Sequence, residues 1–203
     1  MAIDLHPKNE LQWFKEGRVF QALHGVLSTG VIFETDLVRQ TPDLLVRVPG
    51  GTVIVPLRVT VTWEVTAAAV AQCLISSCDN DPGNANMTQF TPVNLNTRFA
   101  DETGSKVTAF VTSTGATGTA PTNVCDLYRM YVQPDIDAIT GFAHFDQGVY
   151  SPLHGKGLPA VIGSSGSQIN AFMVHPAQGA GGSPTGYVIA TWAEFTFDEF
   201  YAE

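Results

Sequence analysis

Basic residues are scarce in this chain, and charged residues are few in general. Its 203 residues include ten Lys and Arg against nineteen Asp and Glu, which gives a formal net charge of −9, and charged residues make up 14% of the whole. Phosphate contacts need clustered Lys and Arg, so direct nucleic-acid binding is not expected. An anionic membrane surface is disfavoured for the same reason. So low a charge content predicts a surface that is neutral and hydroxyl-rich, or one that other chains cover.

Long apolar runs are also lacking. No stretch approaches the roughly 18 consecutive apolar residues of a membrane-spanning helix. The segment from Met1 to Glu10 has no basic stretch followed by an apolar run, so no secretory signal is visible. We therefore expect a soluble protein that stays inside the cell that makes it.

Cysteine is rare. Cys73, Cys78 and Cys125 are an odd set of three, and the spacing of the first two places them on opposite faces of one strand. A disulfide framework is not expected, and Cys-x4-Cys without a second pair is a weak zinc motif. The sequence predicts buried free thiols.

Helical periodicity is hardly visible, whereas alternation is strong in one long segment. Every odd position from Val53 to Val65 is apolar, and the even positions from Pro56 onward are mostly polar. This period of 2 predicts a β-strand with one buried and one wetter face. At about 3.3 Å per residue the strand would be about 40 Å long, which suits the large sheets of a sandwich.

Shorter alternating segments complete a set of about eight predicted strands. Residues 134–166 show little periodicity and predict a long ordered connection. The expected fold class is all-β, a single jelly-roll β-sandwich of about eight antiparallel strands, with a simpler sandwich left open. Besides residues 53–65, the predicted strands are Val31–Val38, Leu44–Val48, Val70–Ser77, Lys106–Thr112, Val124–Val132, Ile169–His175 and Gly186–Phe200.

The beginning of the chain fits neither the helical nor the strand period. Residues 1–27 therefore predict an irregular N-terminal arm or a short helix, and residues 28–203 the sandwich domain. Trp13, Phe14 and Phe20 follow no regular pattern in this arm, so we expect another chain to bury them.

Three segments resemble a known family: Val48–Val59, Thr91–Asn96 and Gly186–Phe195. They look like the turns and strands of structural proteins of icosahedral bacterial and archaeal viruses, in particular of single jelly-roll capsid proteins. The resemblance implies a structural virion protein that self-assembles into a capsid shell, is made in the host cytoplasm and ends in the virion. Its partners would be other shell proteins and copies of itself, in a ring of five or six or in a dimer.

The resemblance has two further implications. Such shells often enclose an internal membrane, so the chain would lie near a viral membrane without inserting into it. The chain also lacks the basic N-terminal arm of capsid proteins that package nucleic acid directly. Contact with the genome is therefore not expected.

A metal site is one interpretation of two histidines and an aspartate that lie close together, His144, Asp146 and His154. Cupins share the jelly-roll barrel and bind a metal through imidazole and carboxylate ligands. The cupin pattern, His-x-His followed closely by Glu, is absent here. Loop histidines with ordinary hydrogen bonds are therefore the favoured interpretation.

Asp79, Asp81 and Gly83 resemble the start of a calcium-binding loop, in which alternating carboxylates and a glycine surround the ion. The twelfth position of that loop is Phe90 instead of the bidentate Glu, which excludes an EF-hand. A looser ion site, including one that bridges subunits, stays open beside a plain surface turn.

Nucleophile motifs are missing. Ser164, Ser165 and Ser167 lie in a Gly-Ser segment without the strand-to-helix elbow that exposes a catalytic serine. Phosphate-loop and dinucleotide fingerprints are missing as well. We therefore predict that the chain is not an enzyme and has no catalytic residue, cofactor or metal ligand.

A carbohydrate- or receptor-binding module, such as a virion decoration or a fibre head, is the main alternative. Trp13, Trp192 and Tyr150 are the aromatic side chains available to stack on sugar rings. Trp192 alternates with small residues in the last predicted strand, where packing is the commoner role. A cupin-like metalloenzyme is the third and weakest alternative. Oligomeric state separates the first two, because shell proteins bury large lateral interfaces.

Overall fold

Strands dominate the structure. The computed structural model describes residues 9–26, 29–33, 37–65, 71–83, 85–99, 104–112, 118–132, 146–178 and 185–202. The helices in these residues are α1 (Glu10–Lys15) and α2 (Phe197–Tyr201), with 3₁₀ turns at Thr97–Phe99 and Pro152–His154. The strands are β1 (Val19–His24), β2 (Val31–Ile32), β3 (Leu44–Val48), β4 (Thr52–Val65), β5 (Ala71–Cys78), β6 (Thr88–Phe90), β7 (Val93–Asn94), β8 (Thr108–Val111), β9 (Cys125–Val132), β10 (Asp146–Tyr150), β11 (Ile162–Gly163), β12 (Asn170–Gln178) and β13 (Thr185–Thr196).

The described strands form two sheets, and all their pairings are antiparallel. The first sheet has the order β10-β4-β13-β1-β7, with β11 paired to β4 and β2 paired to β13. The second sheet has the order β6-β8-β3-β12-β5-β9. The sheets pack face to face, which confirms the expected all-β sandwich.

The core lies between the two sheets. Its largest side chains, Trp63, Trp192 and Tyr150, are fully buried. Burial of a large apolar side chain contributes about 1.5–3 kcal/mol to stability, so this layer supplies most of the driving force for folding. Other members are Phe20, Ala22, Val59, Val61, Val188 and Ala190 from the first sheet and Val46, Ile75 and Val174 from the second.

The strand predicted over residues 53–65 is present as β4, but its two faces exchange roles part-way along. The pairing of β13 skips Leu57, which is the extra residue of a β-bulge. Because a bulge shifts the alternation by one residue, Ile54 faces the core before it and Val59 faces the core after it. Val53 belongs to a separate cluster on the outer face of the sheet. The expectation that all odd positions share one buried face is therefore wrong.

Residues 9–26, the described part of the segment predicted as an irregular arm or a short helix, contain that short helix but are not an irregular arm. The described part of residues 1–27 contains helix α1 and strand β1, and β1 pairs with β13 on one side and β7 on the other. Trp13 and Phe20 are each 4% exposed, so this chain itself buries them instead of a neighbour. Phe14 packs against the same outer cluster as Trp13. Strand β1 thus belongs to the sandwich that the sequence places after residue 28.

The strand predicted over Val31–Val38 is too long. Among the described residues of this range only β2 is a strand, and residues 37–38 are not. Residues 34–36 lie outside the described part of the chain.

The connection predicted over residues 134–166 contains strands β10 and β11 in its described part, which begins at residue 146. Gly148 interrupts the alternation of β10 for a steric reason. A Cβ at this position would lie 1.9 Å from the sulfur of Met130 and 3.3 Å from the ring of Trp63. Glycine therefore permits the close approach of β10 to β9, and it removes the apolar residue that would have marked the strand.

All three cysteines are free thiols, as expected. Cys73 lies in the core between the sheets, and Cys78 lies in a cluster on the outer face of the second sheet, so the two occupy opposite faces of β5. Cys125 is exposed, which corrects the expectation of burial.

Candidate functional site

The histidines that suggested a metal site do not form one in the described residues. His144 and the side chain of Asp146 lie outside the described part of the chain. His154 is exposed, and its Nδ1 lies 2.9 Å from Oγ of Ser151. No group of three His, Cys, Asp or Glu side chains among the described residues is arranged to hold a metal ion.

The carboxylates of the calcium-like loop are engaged by donors of the protein itself. Asp79 accepts hydrogen bonds from the hydroxyl of Thr122, at 2.7 Å, and from the side-chain amide of Asn123. These two bonds lower the pKa of Asp79. Asp81 forms an ion pair with Arg47 at 2.6 Å and accepts a hydrogen bond from the backbone N–H of Gly83. The arrangement is that of a surface turn whose acidic side chains already have partners.

The serine-rich segment is a turn. Oγ of Ser164 donates to the carbonyl of Gln168 at 2.7 Å, and Ser165 and Ser167 are exposed. The carbonyl of Ser164 accepts from the N–H of Gly51 at 2.8 Å, which ties this turn to the start of β4. These contacts give the segment a structural role.

The aromatic residues considered for sugar stacking are buried. Trp13 is 4% exposed, and Trp192 and Tyr150 are 0% exposed. The hydroxyl of Tyr150 donates to the carbonyl of Leu158 at 2.8 Å, and burial raises the pKa of this phenol. In this conformation no face of these three rings is open to a sugar.

The outer face of the first sheet is covered over only part of its length. Helices α1 and α2 lie over the part of β4 that precedes the bulge, where Trp13 and Phe200 pack with Val53 and Phe195. The rings of Trp13 and Phe195 meet edge to face at 5.5 Å. At Leu57 this covered half gives way to a groove of about 730 Å³.

The groove has a mixed polar and apolar lining. Its floor is the outer face of β1, β4, β10 and β13, and side chains of α1 and of the turn after β10 line its walls. Each strand contributes every second side chain to this floor, and these side chains are a mixture of polar and apolar residues. The lining residues are Glu10, Phe14, Gln21, Leu57, Arg58, Thr60, Leu95, Val149, Ser151, His154, Lys156, Ile189 and Thr191.

Two basic residues are held in place in the groove by local structure. Arg58 follows the bulge directly, and its Nε donates to Oγ1 of Thr60 at 3.2 Å. Lys156 closes the turn after β10, where its backbone exchanges hydrogen bonds of 2.8 and 3.0 Å with Ser151. Gly155 makes this turn possible because it adopts a left-handed conformation, with φ of 77°. Both basic side chains therefore start from fixed backbone positions.

Cations outnumber carboxylates in the groove. Neither Arg58 nor Lys156 forms an ion pair with any residue in the described part of the chain. Glu10 is the one acidic residue of the lining, and its Oε1 lies 3.9 Å from Nδ1 of His154. This oxygen is buried and accepts no hydrogen bond from a described residue. The groove is thus suited to a partner with an acidic group and an apolar surface.

A second cavity, of about 460 Å³, lies beside Glu194 and Arg18. Glu194 accepts hydrogen bonds of 2.7 Å from Oγ of Ser105 and from the N–H of Lys106, while burial raises its pKa. Arg18 forms ion pairs with Glu16 at 2.7 Å and Glu199 at 2.5 Å. Four of the charged side chains of this cavity, Glu16, Arg18, Glu194 and Glu199, already have partners, so it is a weaker candidate than the groove.

Large apolar side chains are exposed at the edges of both sheets. Val93 on β7, at one edge of the first sheet, is 63% exposed. Tyr131 on β9, at one edge of the second sheet, is 61% exposed. Single exposed apolar residues are ordinary, but sheet edges also have unpaired backbone groups and are places where other chains attach.

The comparisons with protein-family models, curated proteins and solved structures found no match for this chain. None of the described helices is long and apolar enough to cross a membrane. No relative therefore indicates a function, and the geometry of the described residues is the basis for proposing one.

One residue of β4 marks the groove in the sequence, although the alternation of the strand obscures it. Arg58 is the only charged residue between Arg47 and Glu64. A lone cation in so apolar a segment marks a place where the strand reaches solvent. The other lining residues come from distant segments and share no sequence pattern.

Proposed function

We propose that the sandwich is a single jelly roll and that the chain is a structural virion protein, which self-assembles with copies of itself and other shell proteins into an icosahedral capsid. The proposal assigns the chain no catalytic step and no contact with the genome. It places the chain in the virion after synthesis in the host cytoplasm, near an internal membrane where the virus has one.

The pairing order of the eight main strands carries the proposal. With the short strands β2, β6, β7, β8 and β11 set aside, β1 pairs with β13, β3 with β12, β4 with β10, and β5 with β9. The first strand thus pairs with the last, the second with the seventh, the third with the sixth and the fourth with the fifth. This nested order arises when one long antiparallel hairpin wraps around a core, which is the arrangement of a jelly roll.

The sheet membership of these strands supports the same fold. The outermost and third pairs share the first sheet, as β10-β4-β13-β1, and the second and fourth pairs share the second sheet, as β3-β12-β5-β9. Alternate pairs of a wrapped hairpin fall on opposite sides of the core, so the alternation is what wrapping predicts.

Jelly rolls occur in capsids, lectins and cupins, so the fold alone does not distinguish these functions. The burial and exposure of particular side chains distinguish them. Burial of Trp13, Trp192 and Tyr150 removes the three aromatic side chains on which the sequence-based prediction of a sugar-binding module depended. The exposed apolar residues Val93 and Tyr131 at the sheet edges are instead suited to lateral contacts between subunits. The low charge content of the chain supports the same conclusion.

Self-association of the purified chain tests the proposal. Light scattering should show a mass that rises with protein concentration, and electron microscopy of the same samples should show closed particles. Tyr131→Glu should reduce this assembly and leave the thermal transition unchanged, because the side chain is 61% exposed. Ser165→Glu adds the same charge on an exposed turn and is the matched control. A chain that stays monomeric at every concentration, and forms no particles in its native source, would contradict the proposal.

A further inference from the structure

Helix α2 has an exposed face that combines an acid with an aromatic ring. Asp198 and Tyr201 are three residues apart and therefore share a side of the helix. Tyr201 is 55% exposed, and Asp198 is exposed and forms no ion pair with a described residue. The neighbouring Glu199 is different, because Arg18 holds it at 2.5 Å.

The exposed face of α2 is fixed in position. The ring of Tyr201 lies 4.5 Å from that of Phe197 and 5.1 Å from that of Phe200. Phe200 is 8% exposed and anchors the helix to the covered half of the first sheet. At the start of the helix, the side chain of Thr196 accepts a hydrogen bond from the N–H of Glu199 at 3.3 Å. A fixed surface loses little conformational entropy when it binds.

The groove and this face of α2 are complementary. The groove has two cations, Arg58 and Lys156, that form no ion pair with a described residue, and an apolar part that includes Val149 and Ile189. The helix has a half-exposed ring and an acid that, within the described part of the chain, likewise forms no ion pair. The cations of the groove thus match the acid of α2, and the apolar part of the groove matches its aromatic ring.

We propose that the groove binds α2 of a second copy of this chain, with Asp198 of one copy paired to Arg58 and Lys156 of the other and Tyr201 packed on the apolar part. The inference rests on the proposed function, because it names one contact of the self-assembling subunit. The mode is that of a short helix in a groove.

The positions of groove and helix allow this contact to close on itself. Both lie on the outer face of the first sheet, on either side of the bulge at Leu57. A two-fold axis between two such faces places each α2 in the groove of the other copy, and such an interface is self-complementary and ends at the dimer. Each dimer then has the β7 and β9 edges of both copies available for lateral contacts in a shell.

A charge-swap experiment on the full chain tests the inference. Sedimentation velocity over a range of concentrations gives the dimer dissociation constant. Arg58→Glu should weaken the dimer by about tenfold or more, and Asp198→Lys should do the same, because each puts like charges in contact. The double variant, Arg58→Glu with Asp198→Lys, should restore the dimer to within about threefold of the wild type.

Control variants distinguish an effect of charge on the dimer from an effect of the substitution on folding. Ser165→Glu adds an acid on an exposed turn that is part of neither the groove nor α2, and should leave the dimer unchanged. Arg58→Gln and Lys156→Gln remove one charge each without adding an acid, and should weaken the dimer by less than the reversal does. Each variant should keep the thermal transition of the wild type. These neutral variants keep the test available if Arg58→Glu does not fold.

Two results would overturn the inference. One is an Arg58→Glu chain that forms the dimer as tightly as the wild type, which is also the result expected if the groove holds a different protein or a small anion. The other is a double variant as weak as the single ones. Normal particles from a dimer-defective groove variant would leave the proposed function intact, whereas a wild-type chain that forms neither dimers nor particles would contradict both.

Discussion

The outer faces of the two sheets differ in how far the chain itself covers them. On the second sheet, the outward side chains of β5 and β12 are buried beneath other parts of the same chain. On the first sheet, only the half under α1 and α2 is covered, and the other half borders the groove. The chain therefore leaves one sheet face incomplete, and we infer that a partner completes it. The buried outward residues of the second sheet are Leu74, Ser76, Cys78, Ala171, Met173 and His175, none more than 4% exposed.

The basic residues of the two sheets differ in the same way. Arg47 on the second sheet pairs with Asp81 at 2.6 Å, and Arg39 pairs with Asp126 on β9 at 2.6 Å. In the groove of the first sheet, Arg58 and Lys156 have no such partner among the described residues. Unpaired cations in a chain of net charge −9 favour an acidic partner, and a second copy is one.

The largest effect on stability is expected on β4, where it distinguishes the face in the core from the face that lines the groove. Val59 is 0% exposed, so Val59→Asp buries a carboxylate without a partner and should cost more than about 4 kcal/mol, enough to prevent folding. Thr60 is 8% exposed, but its hydroxyl lies 3.2 Å from Nε of Arg58, so Thr60→Asp places its carboxylate beside a cation and should lower the free energy of unfolding by only about 1–2 kcal/mol. Circular dichroism and urea denaturation measure both.

The dimer distinguishes the outcomes for Thr60→Asp. A folded variant with a weakened dimer is expected, since the new carboxylate competes for Arg58. Loss of folding in both variants would show that the groove is covered by the chain itself. Normal folding of both would show that Val59 is not in the core.

The second prediction concerns the covered half of the first sheet. Trp13 is 4% exposed and packs on Phe195 at 5.5 Å, so Trp13→Ala should lower the free energy of unfolding by about 3–5 kcal/mol. Leu11→Ala, on the same helix but 62% exposed, is the matched control and should stay within about 0.5 kcal/mol of the wild type. Equal, small effects in both variants would mean that α1 is held by a neighbouring chain after all.

The strands that alternate cleanly could be predicted from the sequence. Leu44–Val48 matches β3 at both ends, and residues 53–65 match β4 within one residue. Periodicity does not reveal strand β1 because apolar residues occur on both of its faces: Phe20 and Ala22 point into the core, while Val19 packs under the helices. Periodicity cannot reveal a strand of this kind.

The groove could not be predicted for a different reason. Its position depends on the bulge, which is a property of how β4 pairs with β13 and leaves no mark in the alternation of β4 itself. Its second cation, Lys156, reaches the site through the turn after β10, a strand that Gly148 conceals. Distant segments that meet only through pairing carry no common sequence signal.

The third prediction concerns pH. Burial lowers the pKa of His24, and burial followed by the charge of Arg39 lowers that of His175, each from 6.5 to about 4. The unfolded chain binds these protons at higher pH than the folded one, so the free energy of unfolding should fall between about pH 6.5 and pH 4, by about 3 kcal/mol for each histidine. The raised pKa of Glu194 acts in the opposite sense, since stability from its protonated form is lost as pH rises.

Urea denaturation at several pH values measures this effect. His175→Gln should reduce the pH dependence by about half, because it removes one of two comparable contributions. A free energy of unfolding that is the same at pH 7 and pH 4.5 would show that these rings are not buried in neutral form.

The smallest effect is expected on the second sheet, at the calcium-like loop. Asp81 is half-buried and pairs with Arg47, so Asp81→Asn should cost about 1 kcal/mol or less. Millimolar calcium should leave the thermal transition of the wild type unchanged, because both carboxylates already have donors from the protein. A transition that rises with calcium in the wild type and not in Asp81→Asn would establish an ion site here.

If this chain is a subunit of a closed shell, its native source contains particles built from it. Electron microscopy of the protein as purified from that source is the decisive measurement. We expect closed icosahedral particles whose shell contains this chain, with a neighbouring copy seated on the open half of the first sheet. Protein recovered only as monomers, or as compact trimers on a stalk, would contradict it and favour a binding module.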